Sequence, residues 1–426
     1  MATYKRLLIF FFLLSSLHVY AQSEENCGEG KVKSGLHGFV KNDVFFDSRQ
    51  TVNVREGHFL LYPQNVDLDF DGNDINAKPS LNMLSIQTRL SVGATGPDIW
   101  GASTSGYIEG EFFGMTNPDI NGFRLRHAYV RISWLNSELM VGQFWHPMFH
   151  TKSCPMTISF NTGVPFQPFT RNPQIRFTHR LGNISIMGTT YWQRDFANTG
   201  PDGVSSIYMR NSSIPGMNLR LEYHLVSEVN NELLIGGSSN YKVIQPRIET
   251  ATGFSTSTKF GSTAFSAYMK FITKKLTGRL MGVYAQDAYD MIMLGGYAVK
   301  EVSDPIRQYE EYTTINTRSI WASIYTNSAY WQYGLFAGFT ENLGSRDEIV
   351  GDIYARGSNI AYVYRLSPRV IYNAEKIRVA GEVEYTTAGY ATKDGFGIES
   401  IDEFGVVTES QAVSNLRVLV GMYYFF

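Results

Sequence analysis

Apolar and polar side chains alternate with a period of two along most of this chain. In its last eleven residues, Leu416 to Phe426 (LRVLVGMYYFF), the positions Leu416, Val418, Val420, Met422, Tyr424 and Phe426 fall on one face of an extended strand. An uninterrupted apolar face that ends on a C-terminal aromatic suits a strand whose outer side meets lipid. Strand-like segments recur near 36–48, 82–94, 100–113, 122–135, 137–145, 172–181, 183–195 and 216–227. A second set lies near 231–242, 258–271, 276–286, 315–327, 330–341, 358–366, 376–388 and 412–426, which makes about 16 in all. Long connections at 49–81, 146–171, 196–215, 243–257, 287–314, 342–357 and 389–411 alternate with short ones at Asn136, Gly182, Glu228 to Asn230 and Ser328-Ala329. The link 114–121 is a shorter member of the long class. The pattern predicts an all-β fold, a transmembrane antiparallel barrel with short periplasmic turns and long extracellular loops. The segment 291–300 (MIMLGGYAVK) is assigned to a loop, because a further wall strand would make the count odd.

The polar faces of the strands predict the lining of the barrel. Against the apolar positions Leu84, Ile86, Thr88, Leu90 and Val92, the residues Ser85, Gln87, Arg89 and Ser91 point the other way. The same reading turns inward Lys41, Asp43, Asp47 and Arg49, then Glu109 and Glu111, then Arg124 and Arg126. Gln174, Arg176, Thr178 and Arg180 follow, then Arg220, Glu222 and His224, Arg279, Arg378, Glu382, Glu384 and Arg417. A charge on the lipid face costs about 2–4 kcal/mol at the midplane, so charges at period two opposite an apolar face belong in a wet lumen. Barrels of about 16–18 strands leave an aqueous channel, which favours a conducting pore over charges that pair across a plugged interior. Arg124, Arg126, Arg176 and Arg180 are expected to form a basic ladder.

The connection 146–171 (HPMFHTKSCPMTISFNTGVPFQPFTR) is too rich in Phe and Pro for a solvated loop. It is the candidate constriction, with Lys152 and Arg171 facing the opening. The alternative, an external loop packed on its neighbours or on another subunit, stays open.

The N-terminal segment has Lys5 and Arg6 before Leu7 to Leu14 (LLIFFFLL) and ends in Val19-Tyr20-Ala21. That is the layout of a secretory signal peptide over 1–21, leaving 22–426 as one barrel domain. No other apolar stretch reaches the roughly 20 residues a spanning helix needs. Aromatics make up 14% of the chain and charged residues 18%, and the formal net charge is -2. This balance argues against a nucleic-acid partner. A mean hydropathy of -0.17 decides nothing, because barrels place their apolar residues at alternate positions. Cys27 and Cys154 could pair in an oxidising compartment, but spacing alone does not establish it. Asp67, Asp69, Asp71 and Gly72 begin like a calcium loop, yet Lys78 occupies the twelfth position where a carboxylate is needed. His146 and His150 have the spacing of metal ligands on a helix, but Pro147 lies between them. No metal or cofactor is assigned.

Several strand segments resemble DcaP-like outer-membrane porins: GFVKNDVFFDSRQ at 38–50, RLRHAYVRI at 124–132, VGQFW at 141–145, NPQIRFT at 172–178, SPRVIY at 367–372, and the terminal strand. The resemblance implies a trimeric, roughly 16-stranded channel in the outer membrane of a Gram-negative bacterium, passing small and often negatively charged solutes such as dicarboxylates. Only Gln22 to Ser34 precede the first strand, which puts a helical trimerising stalk in doubt. The residues themselves point to passive diffusion without covalent chemistry, since no His pairs with Ser or Asp in a catalytic motif. The alternatives are a transporter of hydrophobic compounds and a structural or adhesin barrel without a pore.

Overall fold

The computed structural model describes residues 33–227 and 231–426, and the predicted signal segment and Cys27 lie outside them. The wall begins with β1 (Lys33–Asp47), which is followed by a separate hairpin of β2 (Thr51–Val54) and β3 (Phe59–Pro63). The second wall strand is broken into β4 (Ser80–Leu84) and β5 (Arg89–Thr95). Next come β6 (Ser103–Glu111), β7 (Arg124–Ser133), β8 (Ser137–Trp145), β9 (Arg171–Leu181) and β10 (Ile184–Tyr191). They are followed by β11 (Gly216–Val226), β12 (Glu232–Ile244), β13 (Phe260–Ile272) and β14 (Leu276–Gln286). After β15 (Gly295–Ser303) the wall continues with β16 (Tyr309–Thr326) and β17 (Trp331–Gly344). Beyond the short β18 (Ile353–Arg356), it is completed by β19 (Ile360–Ala374), β20 (Ile377–Ala391) and β21 (Ser410–Phe425).

Every wall strand is antiparallel to its neighbours, and β21 pairs with β1, with Tyr424 opposite Val40 and Arg417 opposite Asp47. The result is a closed barrel of 16 strands, counting β4 and β5 as one. Closure leaves the wall without an open strand edge, whose unpaired backbone groups would find no partner in lipid. The outer face is apolar. In β21, Leu416, Val418, Val420, Met422 and Tyr424 are 41–51% exposed, whereas the intervening Arg417 and Leu419 are fully buried on the inner side.

The chain departs from strict alternation at three places. Between β4 and β5 the ladder breaks at Ser85–Thr88, so Ile86 turns inward into the core and Ser85 is exposed, the reverse of the period-two reading. In β7 a bulge lets both Arg126 and His127 face inward, after which Tyr129 and Arg131 take the inner positions. Third, the segment 291–300 contributes to β15, which pairs with the upper part of β16 and with β18. It lies beyond the wall, because β14 pairs directly with β16, so the even count stands.

Candidate functional site

Three connections from the long-loop rim fold into the barrel. Their apolar side chains have no lipid to meet at that rim, so the lumen is where they leave water. The β2–β3 hairpin buries Phe59, Leu60, Leu61 and Tyr62, and the stretch 288–294 buries Met291, Ile292, Met293 and Leu294. The connection 146–170 buries Met148, Phe149, Phe160, Phe166 and Phe169 in the same cluster. Phe59 packs on Phe160 and Phe169, with ring centroids 5.6 and 5.2 Å apart. The lumen is therefore partly apolar and partly filled, where the strand faces alone led to the expectation of a wet, polar interior. Strand periodicity could not show this, since the filling comes from loops.

The connection 146–170 is pinned to strands that do not adjoin β8 or β9. Glu382 on β20 accepts the backbone N–H groups of Ile158 and Ser159, the latter at 2.9 Å. Glu384 accepts from Asn161 at 2.6 Å, and Arg365 on β19 donates to the Val164 carbonyl at 2.9 Å. Lys41 Nζ donates to the Ile158 carbonyl at 2.8 Å, and Arg279 donates to that of Cys154 at 2.5 Å. Gly163 turns the chain at φ +81°, a conformation that favours glycine. Gly338 on β17 leaves space for the Phe166 ring, which a Cβ there would meet at 2.5 Å.

Facing this loop across the remaining space, β5 to β9 carry an arginine–carboxylate cluster. Arg126 bonds Glu109 at 2.6 Å and also Glu111, while Arg89 reaches Glu111 at 3.2 Å. Arg124 bridges Glu111 at 3.2 Å and Asp195 at 2.8 Å, and Arg171 lies 2.9 Å from Asp195. Aromatic rings back the guanidinium groups. Arg126 and Arg171 sit 5.6 and 5.0 Å from the centre of Trp145, and Trp145 stacks on Phe149 at 4.0 Å. Between wall and loop lies a cavity of about 330 Å3 lined by Gln87, Arg89, Glu109, Arg126 and Trp145 of the wall and by Phe149, Phe160 and Phe169 of the loop.

The remaining predicted residues take distinct positions. Lys41 and Asp43 pair at 2.9 Å, and Asp43 also meets His58 of the hairpin at 2.7 Å. Asp47 and Arg417 pair at 2.6 Å, with Arg417 donating to the Gly57 carbonyl. Arg49 lies past the end of β1 and holds Asp74 and the carbonyls of Gln64 and Asn65, so it braces a loop instead of lining the lumen. Arg220 donates to His150, while Glu222 accepts from Lys152 at 2.7 Å and Tyr268 at 2.7 Å. Arg171 is the first residue of β9 and is buried, so it belongs to the wall cluster and does not project from the loop. Arg378 sits over Tyr423 and Phe425. Arg124 and Arg126 are neutralised by Glu111 and Glu109, Arg176 lies over Phe144, and Arg180 is exposed at the far end of β9. These four arginines therefore do not form the basic ladder expected from period two.

The DxDxDG segment is a tight turn in which Asp69 accepts the N–H groups of Asp71 and Asn73. Asp74 accepts from Arg49 and Asp67. His146 accepts from the Met148 N–H, and His150 contacts Ser266 and Arg220. Burial pushes the pKa of His146 down to about 3, and that of His150 well below its ordinary value. Among the described residues, no group of three or more His, Cys, Asp or Glu is placed to hold a metal ion. Sequence reasoning missed Arg55 and Asp195, which lie in connections with no periodicity to reveal them. It also passed over Arg365 and Arg369, although their spacing of four on β19 carries the same period-two signal.

No protein-family model and no curated protein matches the chain. Among solved structures, the outer membrane channel DcaP of Acinetobacter baumannii superposes with a TM-score of 0.67 at 16% identity, over 93% of this chain and 97% of that one. The anion-selective porin of Comamonas acidovorans gives 0.52 at 12%, over 93% of this chain and 100% of that one. OmpF of Salmonella typhi in complex with daunomycin gives 0.51 at 9%, over 92% and 98%. The closed wall, its apolar outer band and these superpositions define the fold of an outer-membrane porin. Within that class the chain resembles the DcaP channel in fold.

Proposed function

We propose that the protein is a homotrimeric porin through which small hydrophilic solutes diffuse passively, with a preference for anions such as dicarboxylates. The observation that carries this reading is an excess of guanidinium groups at the narrowed lumen. Arg55, Arg89, Arg124, Arg126 and Arg171 gather around only three carboxylates, Glu109, Glu111 and Asp195. Arg176, Arg279, Arg369 and Arg378 have no carboxylate within 4.0 Å among the described residues. Guanidinium stays charged at any working pH and holds carboxylates in a bidentate fork. At physiological salt a Debye length of about 8 Å confines the resulting field to solutes already inside. In this reading Arg89, Glu109 and Arg126 border the path, whereas Asp47, Arg49 and Arg417 secure the inward loops.

Trimer assembly draws support from the porin fold and from OmpT of Vibrio cholerae, a neighbour described in its trimer form. A second reading, a barrel without a pore, draws on the apolar packing inside the lumen. Single-channel recording in planar bilayers with a salt gradient separates the two. Conductance steps in groups of three with an anion-selective reversal potential support the porin, and silence across many insertions supports the closed barrel.

A further inference from the structure

At the long-loop rim, one sector of the outer wall carries cations that no carboxylate of the described residues neutralises. Trp192 and Arg194 follow β10, and the Trp192 N–H still bonds the Pro173 carbonyl at 3.0 Å. They alternate with Tyr191 and Gln193, which are buried, so period two turns Trp192 and Arg194 outward. The chain then enters β11 from a short helix, α1 (Ile207–Ser212), which exposes Arg210 in its last turn. Gly216, at the start of β11, lies opposite Tyr191, which brings the end of α1 next to the exit from β10. Lys259, just ahead of β13, donates to the Ser212 carbonyl at 2.8 Å, so its ammonium group stands at the end of the same helix. Phe260 beside it packs on Tyr297 within the buried cluster, which leaves Lys259 exposed on the outer side. Arg194, Arg210 and Lys259 form no ion pair among the described residues, whereas Arg247, Lys300 and Arg307 on the same rim are held by Glu310, Glu311 and Asp304. Asp202 and Glu249 border a neighbouring cavity with Ile207 and Asn211, and Arg210 does not line it. Toward the membrane the surface turns apolar: Trp192, Ile214, Met217 and Tyr241 are 36–44% exposed. The rim where an apolar band gives way to long loops is the depth of lipid head groups.

We propose that this sector is a binding site for a membrane lipid whose head group carries a phosphate monoester, with the phosphate among Arg194, Arg210 and Lys259 and the upper acyl chain against Trp192, Ile214 and Met217. The proposal needs only the outer-membrane fold and does not rest on the solute reading. Arginine meets phosphate with a planar fork, and lysine meets it as a compact point charge. An ammonium group has three donors, and the Ser212 carbonyl takes only one of those on Lys259. A phosphate monoester carries about −1.5 to −2 at neutral pH, so it matches three cations better than the single charge of a phosphodiester lipid. An anion without an apolar body would satisfy the charges and leave the tryptophan and isoleucine beneath them unused. A lipid satisfies both, because its charge and its chain meet at the height where Arg194 stands two residues beyond Trp192.

The test uses the full-length protein in detergent micelles, titrated with diphosphoryl lipid A and read by native mass spectrometry. Fully dephosphorylated lipid A and phosphatidylglycerol are the comparison lipids, and both are expected to bind more weakly. Each cation near a lipid surface contributes about fivefold, so Arg194→Gln should weaken lipid A binding about fivefold and Arg210→Gln with Lys259→Gln about twentyfold. Lys274→Gln with Lys275→Gln, on a short turn at the opposite rim, should leave it unchanged. Arg194→Gln carries the test alone if the double variant fails to fold. Equal affinity for the dephosphorylated lipid, or unchanged binding by the Arg194 and double variants, overturns the site. Displacement of the lipid by an equal concentration of inorganic phosphate would reveal a plain anion site and overturn the lipid assignment. A double variant that loses its oligomer while binding lipid A as before would give the patch to a second copy of the chain. Conductance in planar bilayers is a separate readout: silence there removes the porin reading and leaves the lipid site standing, because the patch lies on the outer surface.

Discussion

Asn161 donates its side-chain amide to Glu384 at 2.6 Å, joining the middle of the 146–170 connection to β20. Two residues earlier in the loop, the Ser159 N–H bonds Glu382 on the same strand. The two carboxylates stand at period two on one face of β20, so the strand itself spaces the anchor points. We expect Asn161→Ala to raise single-channel conductance modestly, and removal of residues 153–160 to raise it further. Leaving one buried partner unmade costs roughly 1–3 kcal/mol of loop attachment. An unchanged conductance in variants that remain heat-modifiable in the outer membrane would show that this loop does not limit the path.

Gly338 offers an independent handle on the same loop. A Cβ at this position would meet the Phe166 ring at 2.5 Å, and the strand backbone cannot yield without breaking its pairing with β16 and β19. Gly338→Val is expected to displace Phe166, increase open-channel noise and lower the thermal midpoint. Wild-type noise and midpoint together would mean that Phe166 relocates freely.

The arginines fall into two groups with different expected behaviour. Arg126 is 3% exposed and tied to Glu109 and Glu111, so Arg126→Gln leaves buried carboxylates under-compensated. It should shift the reversal potential toward cations and reduce stability together, since breaking a buried pair typically costs about 3–5 kcal/mol. Arg279 and Arg369 pack over Tyr325 with no carboxylate within 4.0 Å among the described residues. Arg→Gln at either should shift the reversal potential with a smaller loss of stability, and slow dicarboxylates more than neutral sugars. Equal slowing of charged and neutral solutes would make these residues parts of the wall only.

His146 and His150 give the loop a pH dependence. Both are buried and neutral, with folded values below the ordinary 6.5: His146 faces Asp290, Lys242 and Arg176, and His150 faces Arg220 and Arg176. A depressed folded value means the unfolded loop binds more protons, so its stability is present above about pH 6.5 and is lost as pH falls below it. Thermal unfolding followed from pH 7.5 to 5 should show a falling midpoint that flattens in His150→Asn. A midpoint that rises on acidification would reverse the assigned sign.

Deletion of Phe426 is expected to lower insertion. Its ring is 41% exposed at the end of the β21 apolar face, and its N–H donates to the Gly38 carbonyl at 3.2 Å, so it helps close the wall at β1. Normal amounts of heat-modifiable protein in the outer membrane would refute a role for it in assembly.

What the sequence determined by itself was the wall. Its strands are long and exposed to lipid on one side, so the period-two pattern is enforced by the cost of a charge in hydrocarbon, and residues such as Val418, Arg417 and Glu382 could be assigned a face from spacing alone. The break that turns Ile86 inward and the bulge that admits His127 were invisible, because one extra or missing residue reverses the alternation without altering composition. The pairing of Arg124 and Arg126 with Glu111 and Glu109 joins adjacent strands whose register only the closed sheet fixes. Only the tertiary structure decided how much of the lumen is filled. The β2–β3 hairpin, the 146–170 connection and the 288–294 stretch carry no strand periodicity, and their burial depends on partners more than a hundred residues away. The contacts of Glu382 with Ser159 and of Arg365 with Leu61 exist only once the barrel has closed around them.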